Sequence, residues 1–122
     1  MLTQEQVAQA IIITNIIEWD KTIIICCPRM DMAAAVLDRI YQLHDTLPDW
    51  IKHKLVYRQK RSAQFENGTR IILASDPCHL RGLAVSRAYI HDELRQLPNF
   101  EEWRTVFATC MWTRDEDPVV FS

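Results

Sequence analysis

Glycine is nearly missing from this chain: 122 residues hold only Gly68 and Gly82. That scarcity excludes a phosphate cradle of the G-x-x-x-x-G-K-[ST] type, because such a loop needs glycine for its backbone N–H groups to close on phosphate oxygens. Lys21-Thr22 is no substitute, since no glycine precedes it and a strand-like run follows it. Cysteines at C-x-x-C spacing are also lacking. Adjacent Cys26 and Cys27 would face opposite sides of a strand, so Cys26, Cys27, Cys78, His79 and Cys110 do not read as a zinc site. Cysteines acting as small buried hydrophobes fit them better. No apolar run could cross roughly 30 Å of hydrocarbon; the longest, residues 10–17, is broken by Thr14 and Asn15. The N-terminus carries no basic segment, so no export signal and no membrane partner are expected, and the thiols should be reduced. Neither sign of charge dominates, with 14 basic and 16 acidic residues. Only a local run, Lys52, Lys54, Arg58, Lys60 and Arg61, is a candidate for contact with DNA phosphates. The plainer reading of that run is a charged edge strand protected against sheet-to-sheet pairing.

What is present suits one small domain, with 48% apolar and 25% charged residues. Thr3 and Gln6 have capping-box spacing and open a helix. Its β-branched isoleucines would form an exposed helix poorly, so it should be buried on most sides. Residues 22–27 form a continuous apolar run of strand length, the signature of a central parallel strand covered on both faces. Pro28 ends it. A helix is expected over residues 30–45, with Met32, Ala35, Val36, Ile40 and Leu43 inward and Asp31, Asp38, Arg39 and Gln42 outward. Residues 54–59 and 61–66 alternate like strands, and Asn67-Gly68 is a hairpin signal leading into residues 69–74. Residues 75–84 read as a polar loop. A second core strand occupies 85–91, a helix follows over 101–111 with Trp103, Val106, Phe107 and Cys110 inward, and a strand begins at 119–121. The order implies a three-layer α/β sheet with helices on both faces and a small antiparallel β excursion.

Residues 85–93 run Val-Ser-Arg-Ala-Tyr-Ile-His-Asp-Glu, a hydrophobic strand closed by two acids. An Asp-Glu pair at the C-terminal end of a buried strand is how many ATPases hold Mg²⁺ and aim a water at the γ-phosphate. Such pairs also occur as helix caps or as solvated acids, and the strand alone does not choose among these.

Longer stretches are more specific. Pro28-Arg29-Met30-Asp31-Met32-Ala33-Ala34-Ala35-Val36-Leu37-Asp38-Arg39-Ile40, Leu47-Pro48-Asp49-Trp50, Phe65-Glu66-Asn67-Gly68-Thr69-Arg70-Ile71, the loop from Asp76 to Arg81-Gly82, Tyr89-Ile90-His91-Asp92-Glu93 and Leu97-Pro98-Asn99-Phe100 follow in order. In this order and spacing they resemble the ATPase domain of terminase large subunits from tailed bacteriophages, the motors that pump DNA into capsids. The resemblance spans about residues 20–105. It implies a P-loop-NTPase-like fold of the ASCE/RecA-like kind, here an incomplete one, with residues 88–93 as the Walker B segment. Asp92 would hold Mg²⁺ through water and Glu93 would be the catalytic base. Asp76, Arg81 and Gly82 would belong to a nucleotide-site or coupling loop. His91 departs from the apolar or small residue usual there.

Counting back along the resemblance puts the Walker A loop at or before Met1, so residues 1–122 are expected to be a single partial domain without it. The strand at 119–121 resembles the start of the segment that couples hydrolysis to movement, and the family's nuclease domain is expected to be missing. Mg²⁺ and ATP are the implied cofactors, held weakly or not at all by the chain alone, and ATP hydrolysis would require the P-loop segment from elsewhere. The implied partners are double-stranded DNA, the portal protein, the small terminase subunit and the missing terminase segments, in the cytoplasm of a bacterial host. Self-association is a further expectation, because a core without its first strand leaves an open edge. A standalone, non-catalytic terminase-like protein that binds or regulates the packaging machinery or DNA is the alternative. Another P-loop relative such as a helicase, or an α/β domain with a structural acidic pair, is the third reading.

Overall fold

The computed structural model describes residues 1–111 and 118–122. Thr3 opens α1 (Gln4–Ile17) as its spacing predicts. Its hydroxyl accepts from the Gln6 amide at 3.2 Å, and Gln6 Oε1 accepts from the Thr3 amide at 2.9 Å. Val7, Ala8, Ile11 and Ile12 are buried, whereas Ile13 and Ile17 are 56% and 67% exposed. The helix is therefore covered on one face only, against the sheet and α2 (Met30–Thr46).

The apolar run of residues 22–27 becomes β1 (Thr22–Cys26), buried at every position. It lies in a six-stranded sheet with β2 (Leu55–Arg58), β3 (Ser62–Phe65), β4 (Arg70–Ala74), β5 (Arg87–His91) and β6 (Val119–Phe121), in the order β2-β3-β4-β1-β5-β6. β4, β1, β5 and β6 are parallel, and β3 pairs antiparallel with both β2 and β4. The antiparallel excursion thus returns to the main sheet as expected.

Strand alternation divides the core into two layers. Ile23, Ile25, Ile71, Leu73 and Tyr89 face α1 and α2, while Ile24, Cys26, Ala74, Ala88 and Ile90 face α3 (Phe100–Cys110). Cys26 and Cys27 fall on opposite sides, as adjacent strand residues must. In α2 the buried stripe is Ala33, Val36, Leu37, Ile40, Tyr41 and His44. Ala35, expected inward, is exposed, because the i, i+3, i+4 series that meets the sheet begins at Ala33. The segment 75–84 is more ordered than a polar loop: a 3-10 turn over Pro77–Leu80 buries Leu80 completely against α3.

Asn67 shows why the hairpin sits where it does. Its amide donates to the backbone carbonyls of Asn15 at 2.9 Å and Glu18 at 3.0 Å, closing the end of α1, while Oδ1 accepts from the Thr69 amide. Gly68 has φ +85°, and a Cβ there would come 2.0 Å from Asp20 Oδ1. Both the left-handed backbone and the close approach favour glycine.

Candidate functional site

In a sheet of this kind, ligands bind beyond the carboxyl ends of the parallel strands. β5 lies between β1 and β6, and its end delivers Asp92 and Glu93 to that edge in a 3-10 turn over Asp92–Gln96. Asp92 is half-buried and ion-paired with Arg95, whose Nε donates to Oδ1 at 3.1 Å and whose terminal nitrogen also contacts it. Glu93 is exposed. Its backbone amide donates to His91 Nδ1 at 3.1 Å, and His91 itself is buried with its ring edge-on to Phe121.

Cys27 follows β1 on the same edge. Burial pushes its thiol up to about 12, with the negative charges of Asp31 and Glu93 adding to the effect. The thiol is therefore a poor nucleophile at neutral pH. Asp31 also pairs with Arg29 at 3.2 Å.

The start of α1 does not offer a phosphate site. The capping box engages the Thr3 and Gln6 amides, and Glu5 puts a carboxylate in its first turn, where an anion would otherwise be favoured. Glu5 receives two hydrogen bonds from Arg39, at 2.7 and 2.8 Å, and that guanidinium holds its carboxyl below the usual range. Asp92 and Glu93 thus form an acidic pair at the carboxyl end of β5, between two parallel strands. No glycine cradle exists among the described residues, and no cluster of three or more His, Cys, Asp or Glu could hold a metal there.

Asp76 follows β4 to the same edge, but two strand spacings, about 10 Å, separate β4 from β5. Its Oδ1 accepts from the Cys78 amide at 2.9 Å, and the hydrogen bonds from Cys78 hold its carboxyl below the usual range, assisted by His79 and Arg81. Arg81 and Gly82 lie against α3. They line a groove of about 390 Å³ with Leu80, Leu83, Val106 and Cys110. The φ of Gly82 is +79°, and nothing lies within 4 Å of a Cβ built there, so backbone conformation alone calls for glycine.

The basic run lies at the far edge, on and beside β2, roughly 19 Å from β5 by strand spacing. Arg58 stacks 4.4 Å over the Tyr41 ring and pairs with Asp45 at 3.2 Å, and Lys52 pairs with Asp49 at 3.4 Å. Lys54, Lys60 and Arg61 are exposed.

Two features of the site go beyond the sequence-based expectations. Arg95 as the partner of Asp92 is signalled by its i, i+3 spacing. The His91 cap has no signal in the sequence, since it depends on where the β5 end meets the turn. Among the described residues, no helix is long and apolar enough to cross a membrane.

No protein-family model matches the chain. Among solved structures, it is similar to the large terminase ATPase domain of Thermus phage P74-26, with a TM-score of 0.73 and 16% identity over 98% of this chain. An arginine-to-alanine mutant of that domain gives 0.72 and 15%. The chain spans 54% of the length of each.

Proposed function

We propose, from a fold shared along 98% of the chain with a phage large terminase ATPase domain, that this protein is a segment of a viral DNA-packaging ATPase motor. The observation that carries the reading is the Asp92-Glu93 pair at the end of β5, between two parallel strands of that fold. Bound Mg²⁺ and ATP would supply charge neutralisation and the transferable phosphoryl group. Asp92 would hold the metal's water, sharing its carboxylate with Arg95. Glu93, exposed at the edge, would accept the hydrogen bond of the attacking water. The missing glycines and the closed start of α1 leave phosphate binding to another segment, so the chain alone is expected to be inactive.

Mg²⁺-dependent ATP turnover tests this. The chain alone should show none, and mixing it with a polypeptide that carries a Gly-Lys-Thr loop and the remaining strands should restore it. Turnover by the isolated chain would sink the claim of dependence. Failure of every such mixture would favour the second reading, a standalone non-catalytic protein that binds or regulates the packaging machinery, which the self-capped start of α1 also favours. Under either reading the proposed partners are double-stranded DNA, portal protein, small terminase subunit or missing motor segments, in the host cytoplasm. The exposed Ile13 and Ile17 fit coverage by such a segment or by a second copy.

DNA contact is assigned to Lys54, Lys60 and Arg61, with Lys52 and Arg58 already engaged by acids. Joint Lys60→Ala and Arg61→Ala substitution should reduce the slope of log affinity against log salt by about 2. An unchanged slope would leave the run to edge protection.

A further inference from the structure

We infer that His91 is a positioning residue that fixes Glu93 relative to the end of β6. The imidazole makes two different contacts from one buried place. Nδ1 accepts the Glu93 amide at 3.1 Å, which requires that nitrogen to be bare, and the ring edge meets Phe121 at 5.3 Å between centroids. Asparagine or serine would cap this turn as well as histidine does. Neither would reach the neighbouring strand.

Phe121 is itself held on its other side. Leu2 bridges it in parallel, and the Ser122 amide donates to the Leu2 carbonyl at 2.9 Å, one residue before the Thr3 cap of α1. A continuous series of contacts therefore runs from the start of α1 through Leu2, Phe121 and His91 to the Glu93 amide. Displacing the β6 end shifts the ring, and shifting the ring moves the amide that orients the Glu93 turn. The catalytic meaning of that movement rests on the ATPase reading above, whereas the contacts do not.

The test is amide hydrogen exchange and imidazole ¹⁵N spectroscopy on the whole chain. His91→Phe retains a ring beside Phe121 and removes the acceptor; His91→Asn retains an acceptor and removes the ring. Exchange at the Glu93 amide should quicken by roughly fivefold or more in His91→Phe and stay within about twofold in His91→Asn. The β1 amides serve as the control for global stability, and Nδ1 of the unsubstituted protein should give the signal of an unprotonated acceptor. Phe121→Leu should shift the His91 ring and Glu93 amide resonances together. Equal protection of Glu93 in His91→Phe, or a Phe121→Leu spectrum that moves His91 and leaves Glu93 in place, would overturn the assignment. A reassembled complex without ATP turnover would count against the ATPase reading and leave these spectra as they are.

Discussion

Glu93→Gln in the reassembled enzyme is expected to lower ATP turnover by about 100-fold to 10⁴-fold, the range a positioned general base contributes. The two side chains are nearly the same size, and Glu93 is exposed, so the substitution removes no packing. The His91 cap acts on the backbone amide and is retained. What is lost is the carboxylate that would accept the proton of the attacking water. Nucleotide affinity should change little, because the phosphates are held elsewhere. The measurement is steady-state phosphate release alongside equilibrium nucleotide binding. Turnover within about threefold of the parent would remove Glu93 from the role, and the acids would then be structural caps.

Trp103→Ala is the second large effect, and it concerns stability. Trp103 is fully buried on α3, the helix that covers the opposite face of β5, among Ile24, Ala88, Ile90 and Phe107. Truncating a buried aromatic costs about 3–5 kcal/mol, against a total of about 5–15 kcal/mol for a domain. Its Nε1 finds no hydrogen-bond partner among the described residues, so the substitution also removes a buried donor that costs about 1–3 kcal/mol. The loss should therefore fall near the low end of the range. Trp103→Phe, which keeps much of the ring and drops the orphan N–H, should be considerably milder. Urea denaturation of both variants decides it. An alanine variant within about 1 kcal/mol of the parent would mean that the α3 layer collapses around the hole or contributes little to β5. A destabilised α3 would also loosen the acidic turn, because β5 would be covered on one face only.

Much of the fold is legible in the sequence. The capping box at Thr3 and Gln6, the strand at 22–27 and the Asn67-Gly68 turn each rest on a local rule of backbone geometry, and each forms where the rule places it. Sequence and structure part where the deciding contact lies far along the chain. The crowd of alanines in α2 suggests an inward Ala35, but only the sheet selects which stripe is buried. Leu80 sits in a stretch of polar residues, although α3, some 20 residues later, provides its pocket.

The site divides the same way. Sequence identifies Asp92 and Glu93 because an apolar strand ending in two acids is a local pattern, and it establishes the lack of a glycine cradle by composition alone. It does not show that Arg81 and Gly82 lie against α3, or that His91 ties Glu93 to Phe121. Those facts depend on which strands become neighbours, a choice made by burying two apolar faces at once. Residue types and their periodicity therefore determined the elements and the chemistry available at the end of β5. The tertiary structure decided which of those groups share an edge, because side chains distant in sequence meet only after the sheet has closed around its core.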